Sequence, residues 1–126
     1  MTDFQEISIL LVEDERDLKQ LLLWDFENFE ARIETAETYE EAKLKLISHK
    51  FDAIISDVRL PDGTGVDLFR FIKDNEIAIG KKYFMTAFTS DELDLEGLKV
   101  DHLFKKPLKT KDVVDYVVDD LQIPSL

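Results

Sequence analysis

The chain contains no cysteine, which removes disulfides, thiolate metal sites and cysteine nucleophiles together. It has only two histidines, His49 and His102, isolated in sequence. His102 opens an apolar strand-like run and reads as a surface residue rather than a ligand. Four glycines and three prolines leave no Gly/Pro-rich linker, and no repeat or low-complexity stretch interrupts the chain. The longest apolar runs, such as Ile9–Val12 and Leu21–Trp24, are too short to cross a membrane. The start, Met1-Thr2-Asp3-Phe4-Gln5-Glu6, has neither a basic region nor an apolar stretch, so no secretory signal is expected and a cytoplasmic address fits. Basic charge is scarce: 16 Lys and Arg face 28 Asp and Glu, a net of −12. Neutralising phosphates on a duplex or an anionic membrane needs the opposite balance, so neither is expected as a direct partner. Acidic excess suits a solvated surface, a cation site or a basic partner patch.

What remains is a chain of 126 residues, room for one domain and one core, with 44% hydrophobic and 35% charged residues as in globular proteins. Two kinds of apolar pattern alternate along it. Ile7–Val12 is a short β-branched and aliphatic run that reads as a buried strand. Leu18, Leu21, Leu22, Phe26 and Phe29 then form one helical stripe. Ala31–Thr35 alternates like an edge strand. Thr38 and Glu41 have the spacing of a capping box, opening a helix that carries Ala42, Leu46 and Ile47. Phe51–Ser56 predicts a third strand, ending at Asp57. Pro61–Gly65 is a loop of turn formers, and residues 66–75 return to helix. Lys82–Met85 predicts a fourth strand, Ser90-Asp91-Glu92 the cap of a short fourth helix reaching Leu98, and His102–Lys105 a fifth strand. Val114, Val117, Val118 and Leu121 define the last helix.

Five strands alternating with five helices, joined by short connections, imply a parallel sheet with right-handed crossovers and helices on both faces. This is a doubly wound, three-layer α/β domain. In such sheets ligands bind beyond the carboxyl ends of the strands. Glu13, Asp14 and Glu15 follow the first strand, Asp57 the third, Thr86 the fourth, and Lys106 the fifth, immediately before Pro107. Each alone is ordinary, since acids after a strand commonly cap the next helix. Together they deliver carboxylates, a hydroxyl and an ammonium to one edge of one sheet. Carboxylates about 5 Å apart repel by roughly 3 kcal/mol at an effective dielectric of 20. Such a cluster either raises a pKa or holds a cation, and a few hard oxygen ligands favour Mg²⁺. A carboxylate beside Mg²⁺ and a lysine is placed to attack a phosphoryl group.

The blocks Ile9–Glu15, Ile54–Gly63, Met85-Thr86-Ala87 and Phe104-Lys105-Lys106-Pro107 resemble, in order, the receiver domains of two-component response regulators. The similarity runs from about residue 7 to 121, leaving 122–126 as a tail, with residues 1–126 as a single receiver domain. The resemblance implies a flavodoxin-like five-stranded parallel sheet in the order 2-1-3-4-5. It implies that Asp57 is the phospho-acceptor, and that Glu13, Asp14, Asp57 and the backbone carbonyl of Arg59 hold Mg²⁺, with Mn²⁺ as a substitute. Thr86 would donate its hydroxyl hydrogen to the phosphoryl oxygens, and Lys106 rather than Lys105 would pair with them. The strand pleat agrees, because Lys105 and Lys106 point to opposite faces. The implied donor is a phosphohistidine on a histidine kinase or histidine phosphotransfer protein. The implied output is a partner-binding or dimerisation face made by the fourth helix, the fifth strand and the last helix. The chain would be no enzyme beyond its own phosphorylation and dephosphorylation.

Leu103 stands where receivers carry an aromatic residue, three positions before the site lysine, with Phe104 on the other face. That substitution points signal transmission to the loop 86–90 and the short fourth helix. Asp62-Gly63-Thr64 is similar to part of the Asp-x-Asp-Gly-Thr motif of haloacid dehalogenase-like phosphatases, but Leu60 occupies the first Asp position. A flavodoxin-type phosphate loop is contradicted by Glu13-Asp14-Glu15, which would repel the cofactor. The remaining alternative is a receiver-like interaction module that is not phosphorylated.

Overall fold

The computed structural model describes residues 6–88 and 93–126. Along the chain run β1 (Ile7–Val12), α1 (Arg16–Phe26), β2 (Ala31–Ala36), α2 (Tyr39–Ser48), β3 (Ala53–Asp57), β4 (Arg59–Leu60), β5 (Gly63–Thr64), α3 (Gly65–Asp74), β6 (Lys81–Thr86), β7 (His102–Lys105) and α4 (Thr110–Leu121). The main sheet has the order β2-β1-β3-β6-β7, all parallel. Counting its strands alone, this is 2-1-3-4-5, the doubly wound three-layer arrangement expected.

The pleat explains the layers. In β1, Leu10 and Val12 face one side and Ile9 and Leu11 the other, and all four are fully buried. Leu10, Val12, Ile54 and Phe84 join the core beneath α2 and α3, with Leu46, Leu68, Phe69 and Ile72. Ile9, Leu11, Ile55, Tyr83 and Met85 join the core beneath α1 and α4, with Leu22, Phe26, Val113, Val114 and Val117. A strand covered on both sides has no polar face, which is why β1 and β3 lack polar alternation. Truncating a fully buried leucine such as Leu22 costs about 2–5 kcal/mol.

The helix starts follow local hydrogen-bonding. Thr38 Oγ1 accepts from the Glu41 amide at 3.1 Å. The Glu41 carboxylate reaches the Glu37 amide at 3.4 Å instead of the Thr38 amide, so the capping box is only half formed. Thr64 caps α3 in the same way, accepting from the Asp67 amide at 3.0 Å. Asp62, considered above for its motif, serves the fold, because its carboxylate accepts from the Tyr39 and Glu40 amides at 2.6 and 3.0 Å. Despite the opposing effect of desolvation, these amide bonds hold its pKa below the usual aspartate value.

Several expectations are corrected. Helix α1 ends at Phe26, and Phe29 instead bridges to Ser125 in an antiparallel contact. Leu21 and Ile47 are exposed, because each lies off the stripe that its helix turns to the sheet. The loop 61–65 contains half of a small antiparallel hairpin, β4 with β5. The cap proposed at residues 90–92 lies outside the described residues. Residues 93–98, the described remainder of that expected helix, are not helical. Glu96 and Gly97 both have left-handed backbone, φ 52° and 78°, which a right-handed helix does not tolerate. Leu93, Leu95, Leu98 and Val100 pack on the α2–α3 core without forming a helix there.

Candidate functional site

Of the groups singled out at the strand ends, Glu13, Asp14, Asp57, Thr86 and Lys106 converge on one edge of the sheet, while Glu15 contributes its backbone amide. Glu13 follows β1 and is fully buried, Asp14 beside it is exposed, and Asp57 closes β3 nearly buried. One carboxylate oxygen from each of the three lies within 4.8 Å of the others. Lys106 enters from the end of β7, with Nζ 2.7 Å from Asp57 Oδ2 and 3.2 Å from Glu13 Oε1. Lys105, one residue earlier, is exposed. The Lys106–Pro107 peptide is cis. Three carboxylates and one ammonium leave a formal charge of −2 at this point.

Burial pushes the Glu13 carboxyl above the usual glutamate range. The Asp57 charge adds to the shift, while the Glu15 amide and Lys106 oppose it. For Lys106, burial favours loss of the proton. The hydrogen bond to Asp57 and the negative charges of Glu13 and Asp57 outweigh that, and its pKa lies above the usual lysine value. The lysine is therefore a fixed cation bridging two carboxylates that would otherwise repel by about 3 kcal/mol.

Backbone amides complete the cradle. Glu13 Oε2 accepts from the Glu15 amide at 2.9 Å, and Asp57 Oδ1 from the Arg59 amide at 3.2 Å. Thr86 is almost fully buried at the end of β6. Its Oγ1 accepts from the Phe88 amide at 2.9 Å, which leaves the hydroxyl hydrogen free to donate elsewhere. Asp57, Arg59, Thr86, Ala87, Phe88 and Lys106 line an open crevice of about 510 Å³. Such an arrangement suits a divalent cation and a tetrahedral anion side by side: oxygen ligands for the first, an ammonium and a hydroxyl for the second.

Two contributors were missed in the sequence. Gly65 begins α3 directly beneath Asp57, where a Cβ would come within 2.6 Å of the Asp57 carbonyl oxygen and 2.7 Å of the Phe84 ring. A glycine between a turn and a helix carried that signal, but the partner it must clear is eight residues away. Phe88 was the other. Its ring lies 4.8 Å from the Arg59 guanidinium, forming one wall of the crevice. Nothing local links residues 59 and 88.

The sequence matches the response regulator receiver domain family over residues 9–118. The response regulator SaeR of Staphylococcus epidermidis is 31% identical over 108 residues, covering 84% of this chain and 46% of SaeR. The response regulator protein PilR of Pseudomonas aeruginosa is 31% identical over 90 residues, 71% of this chain and 20% of PilR. The chain thus spans less than half the length of these curated relatives. Among solved structures, a two-component response regulator from Clostridium difficile superposes with TM-score 0.81 at 27% identity, covering 93% of this chain and 97% of that one. TrrA from Thermotoga maritima, solved in complex with Mg(2+)-BeF, gives TM-score 0.76 at 26% identity, covering 90% and 97%. With the family matched over most of its length and its acidic pocket assembled at the sheet edge, this chain belongs to the response regulator receiver domains, signalling modules of two-component systems rather than classical enzymes.

Proposed function

We propose that the domain accepts a phosphoryl group onto Asp57 in a Mg²⁺-dependent reaction and so switches a protein-binding face. The observation that carries this reading is the −2 cluster of Glu13, Asp14, Asp57 and Lys106, its carboxylate oxygens within 4.8 Å of one another. That donor set is hard, anionic and matched in charge to one divalent ion. Glu13, Asp14, Asp57 and the carbonyl of Arg59 are the groups that would hold Mg²⁺, or Mn²⁺ in its place. Bound there, the ion supplies neutralisation of charge on the phosphoryl oxygens.

The donor in this reading is a phosphohistidine of a histidine kinase or histidine phosphotransfer protein. A carboxylate oxygen of Asp57 attacks phosphorus, the P–O bond of an acyl phosphate forms, and the P–N bond to imidazole breaks. Lys106 already touches Asp57 and follows the charge as it moves onto the new group. The Thr86 hydroxyl, accepting from Phe88, turns its hydrogen towards a phosphoryl oxygen. The dianionic product adds about −1.5 to −2 charges and three acceptor oxygens, enough to draw both side chains inward. Beryllofluoride has the shape and charge of a phosphoryl group, and its presence with Mg²⁺ in the TrrA complex supports the reading.

The whole chain acts as one receiver domain, and its setting is the cytoplasm; among the described residues no helix is long and apolar enough to cross a membrane. The output face includes β7 and α4, where Tyr116, partly exposed, stacks on His102 with ring centroids 4.0 Å apart. Homodimerisation or output-partner binding takes place there.

The test is incubation with Mg²⁺ and acetyl phosphate, followed by intact mass. One added phosphoryl group, absent without Mg²⁺ and absent in Asp57→Asn, is the expected result. No adduct under any condition would leave an interaction module that is not phosphorylated.

A further inference from the structure

Helix α3 separates two grooves of opposite charge. On its α2 side, Asp62, Asp67 and Asp74 outnumber Arg70 along a groove of about 400 Å³. On its other side, a groove of about 320 Å³ runs between the C-terminal half of α3 and residues 97–99. Its floor is apolar, built by Phe69 and Ile72 from the core and by the partly buried Ile77 and Leu98. Its rim carries Lys73, Lys82 and Lys99, against Glu76 as the single acid among the lining residues.

This is a local reversal of sign in a chain of net charge −12. Ion pairs among the described residues engage Lys19, Lys45, Lys81, Lys106 and Lys111, and leave Lys73, Lys82 and Lys99 out. The walls are hydrogen-bonded in place. The Ile77 amide donates to the Ile72 carbonyl at 3.0 Å, the Leu98 amide to Leu95 at 2.8 Å, and the Asp101 amide to Lys82 at 2.8 Å. The left-handed turn at Glu96 and Gly97 leads directly into Leu98, which lines the floor. Lys82 lies near the start of β6 and Thr86 at its end, a separation of about 13 Å along the strand. The groove is therefore distinct from the crevice at Asp57.

We propose that this groove binds an acidic peptide segment of a partner protein, one or two bulky apolar side chains seated on the floor and flanking carboxylates on the three lysines. The volume holds side chains rather than a folded domain, and the apolar floor gives a free inorganic anion nothing to bury. Nucleic acid is opposed by the charge of the chain as a whole. The acidic groove across α3 repels the same peptide and limits it to one side, so the pair of grooves supplies both attraction and direction.

The probe is a fluorescein-labelled acidic peptide carrying one phenylalanine and one leucine among aspartates and glutamates, titrated into the full chain labelled with ¹⁵N. Amides of Ile77, Lys82, Leu98 and Lys99 shift, and affinity falls as salt rises. The double change Lys73→Glu with Lys99→Glu weakens binding at least tenfold at an unchanged melting temperature, while Lys50→Glu, an exposed lysine elsewhere, leaves it unaltered. A peptide of equal charge with alanines in place of its apolar residues binds at least tenfold more weakly. Lys82→Gln repeats the loss should the double variant fail to fold. Shifts confined to other surfaces, no binding at millimolar peptide, or equal binding by the charge-reversed variants would overturn the proposal. So would concentration-dependent shifts of the same amides without peptide, which would assign the groove to a second copy. Phosphorylation at Asp57 is read separately by mass, so failure of either proposal leaves the other standing.

Discussion

Two lysine–carboxylate clusters stand at opposite ends of β6, and they handle similar charges differently. At the start of the strand, Lys81 lies 3.6 Å from Asp120 and 3.9 Å from Asp101. Asp120 also accepts from the Tyr83 hydroxyl at 2.5 Å, and Asp101 from the Lys82 amide at 2.8 Å. Those bonds tie β6 to α4 and to the turn before β7. At the far end, Lys106 bridges Glu13 and Asp57, while Asp14 beside them is exposed. Each cluster contains more carboxylate than ammonium, so charge excess does not distinguish them. What differs is the direction of the remaining lone pairs. Around Lys81 one oxygen of each carboxylate is met by a phenol or a backbone amide of the fold. Around Lys106 they face a crevice of about 510 Å³ that also presents a buried hydroxyl. One cluster holds the fold together; the other is arranged to receive something.

The largest effect that would break this contrast is at Asp57. Asp57→Asn abolishes incorporation of phosphoryl from acetyl phosphate, whereas Asp120→Asn preserves it, both read by intact mass. Loss in both variants would make the two clusters one system. Next comes Lys106→Ala, which removes the cation that follows charge onto the transferring phosphoryl group and slows phosphorylation roughly 10–100-fold, a loss of about 1.4–2.7 kcal/mol of transition-state stabilisation. Stopped-flow fluorescence of the single tryptophan, Trp24, or quench-flow mass measures the rate.

Tyr83→Phe acts on stability instead. Removing the hydroxyl leaves Asp120 without its short donor and costs about 1–2 kcal/mol in urea unfolding, with phosphorylation retained. Burial, then the hydrogen bond and charge of Asp120, hold the Tyr83 phenol above its ordinary value. The native state therefore keeps this proton after an unfolded tyrosine has lost it, at about pH 10. The contribution is fully present below that pH and declines as pH rises beyond it. Urea midpoints measured from pH 8 to 11 show a steeper alkaline decline for wild type than for Tyr83→Phe; parallel curves would remove the Tyr83–Asp120 bond from the account. The smallest effect is at Lys105. Lys105→Ala changes the phosphorylation rate by less than about twofold, since an exposed charge beyond direct contact is screened by water and salt. A larger change would mean that the register of β7 is displaced by one residue.

One side of this contrast is legible in the amino-acid sequence. Asp57 and Lys106 can be picked because each follows or ends a strand, and parallel strands with short crossovers bring their carboxyl ends to one edge. The Tyr83–Asp120 bond has no such signal: the two residues are 37 positions apart, and each looks ordinary in its own element. Gly65 and Phe88 escape for the same reason, since one is required by a backbone oxygen of β3 and the other by a guanidinium beyond it. Apolar periodicity locates the helices but overstates their buried faces. Leu21 and Ile47 fit the stripes by spacing, yet each lies at the margin where the helix turns from the sheet. The helix expected up to Leu98 rests on a good cap signal, and the described residues 93–98 contradict it through the left-handed backbone at Glu96 and Gly97.

The sequence by itself determined the order of the five main-sheet strands and of helices α1 to α4 along the chain, the parallel sheet and the edge at which carboxylates and an ammonium gather. These follow from periodicity, connection length and the residue after each strand, all properties of neighbours along the chain. Only the tertiary structure decided that Lys106 bridges both Glu13 and Asp57, and that α3 parts an acidic groove from a lysine-rimmed one. It also decided that Gly65 has no room for a side chain. Those outcomes depend on distances of a few ångströms between residues far apart in sequence, and such distances exist only once both faces of the sheet are packed.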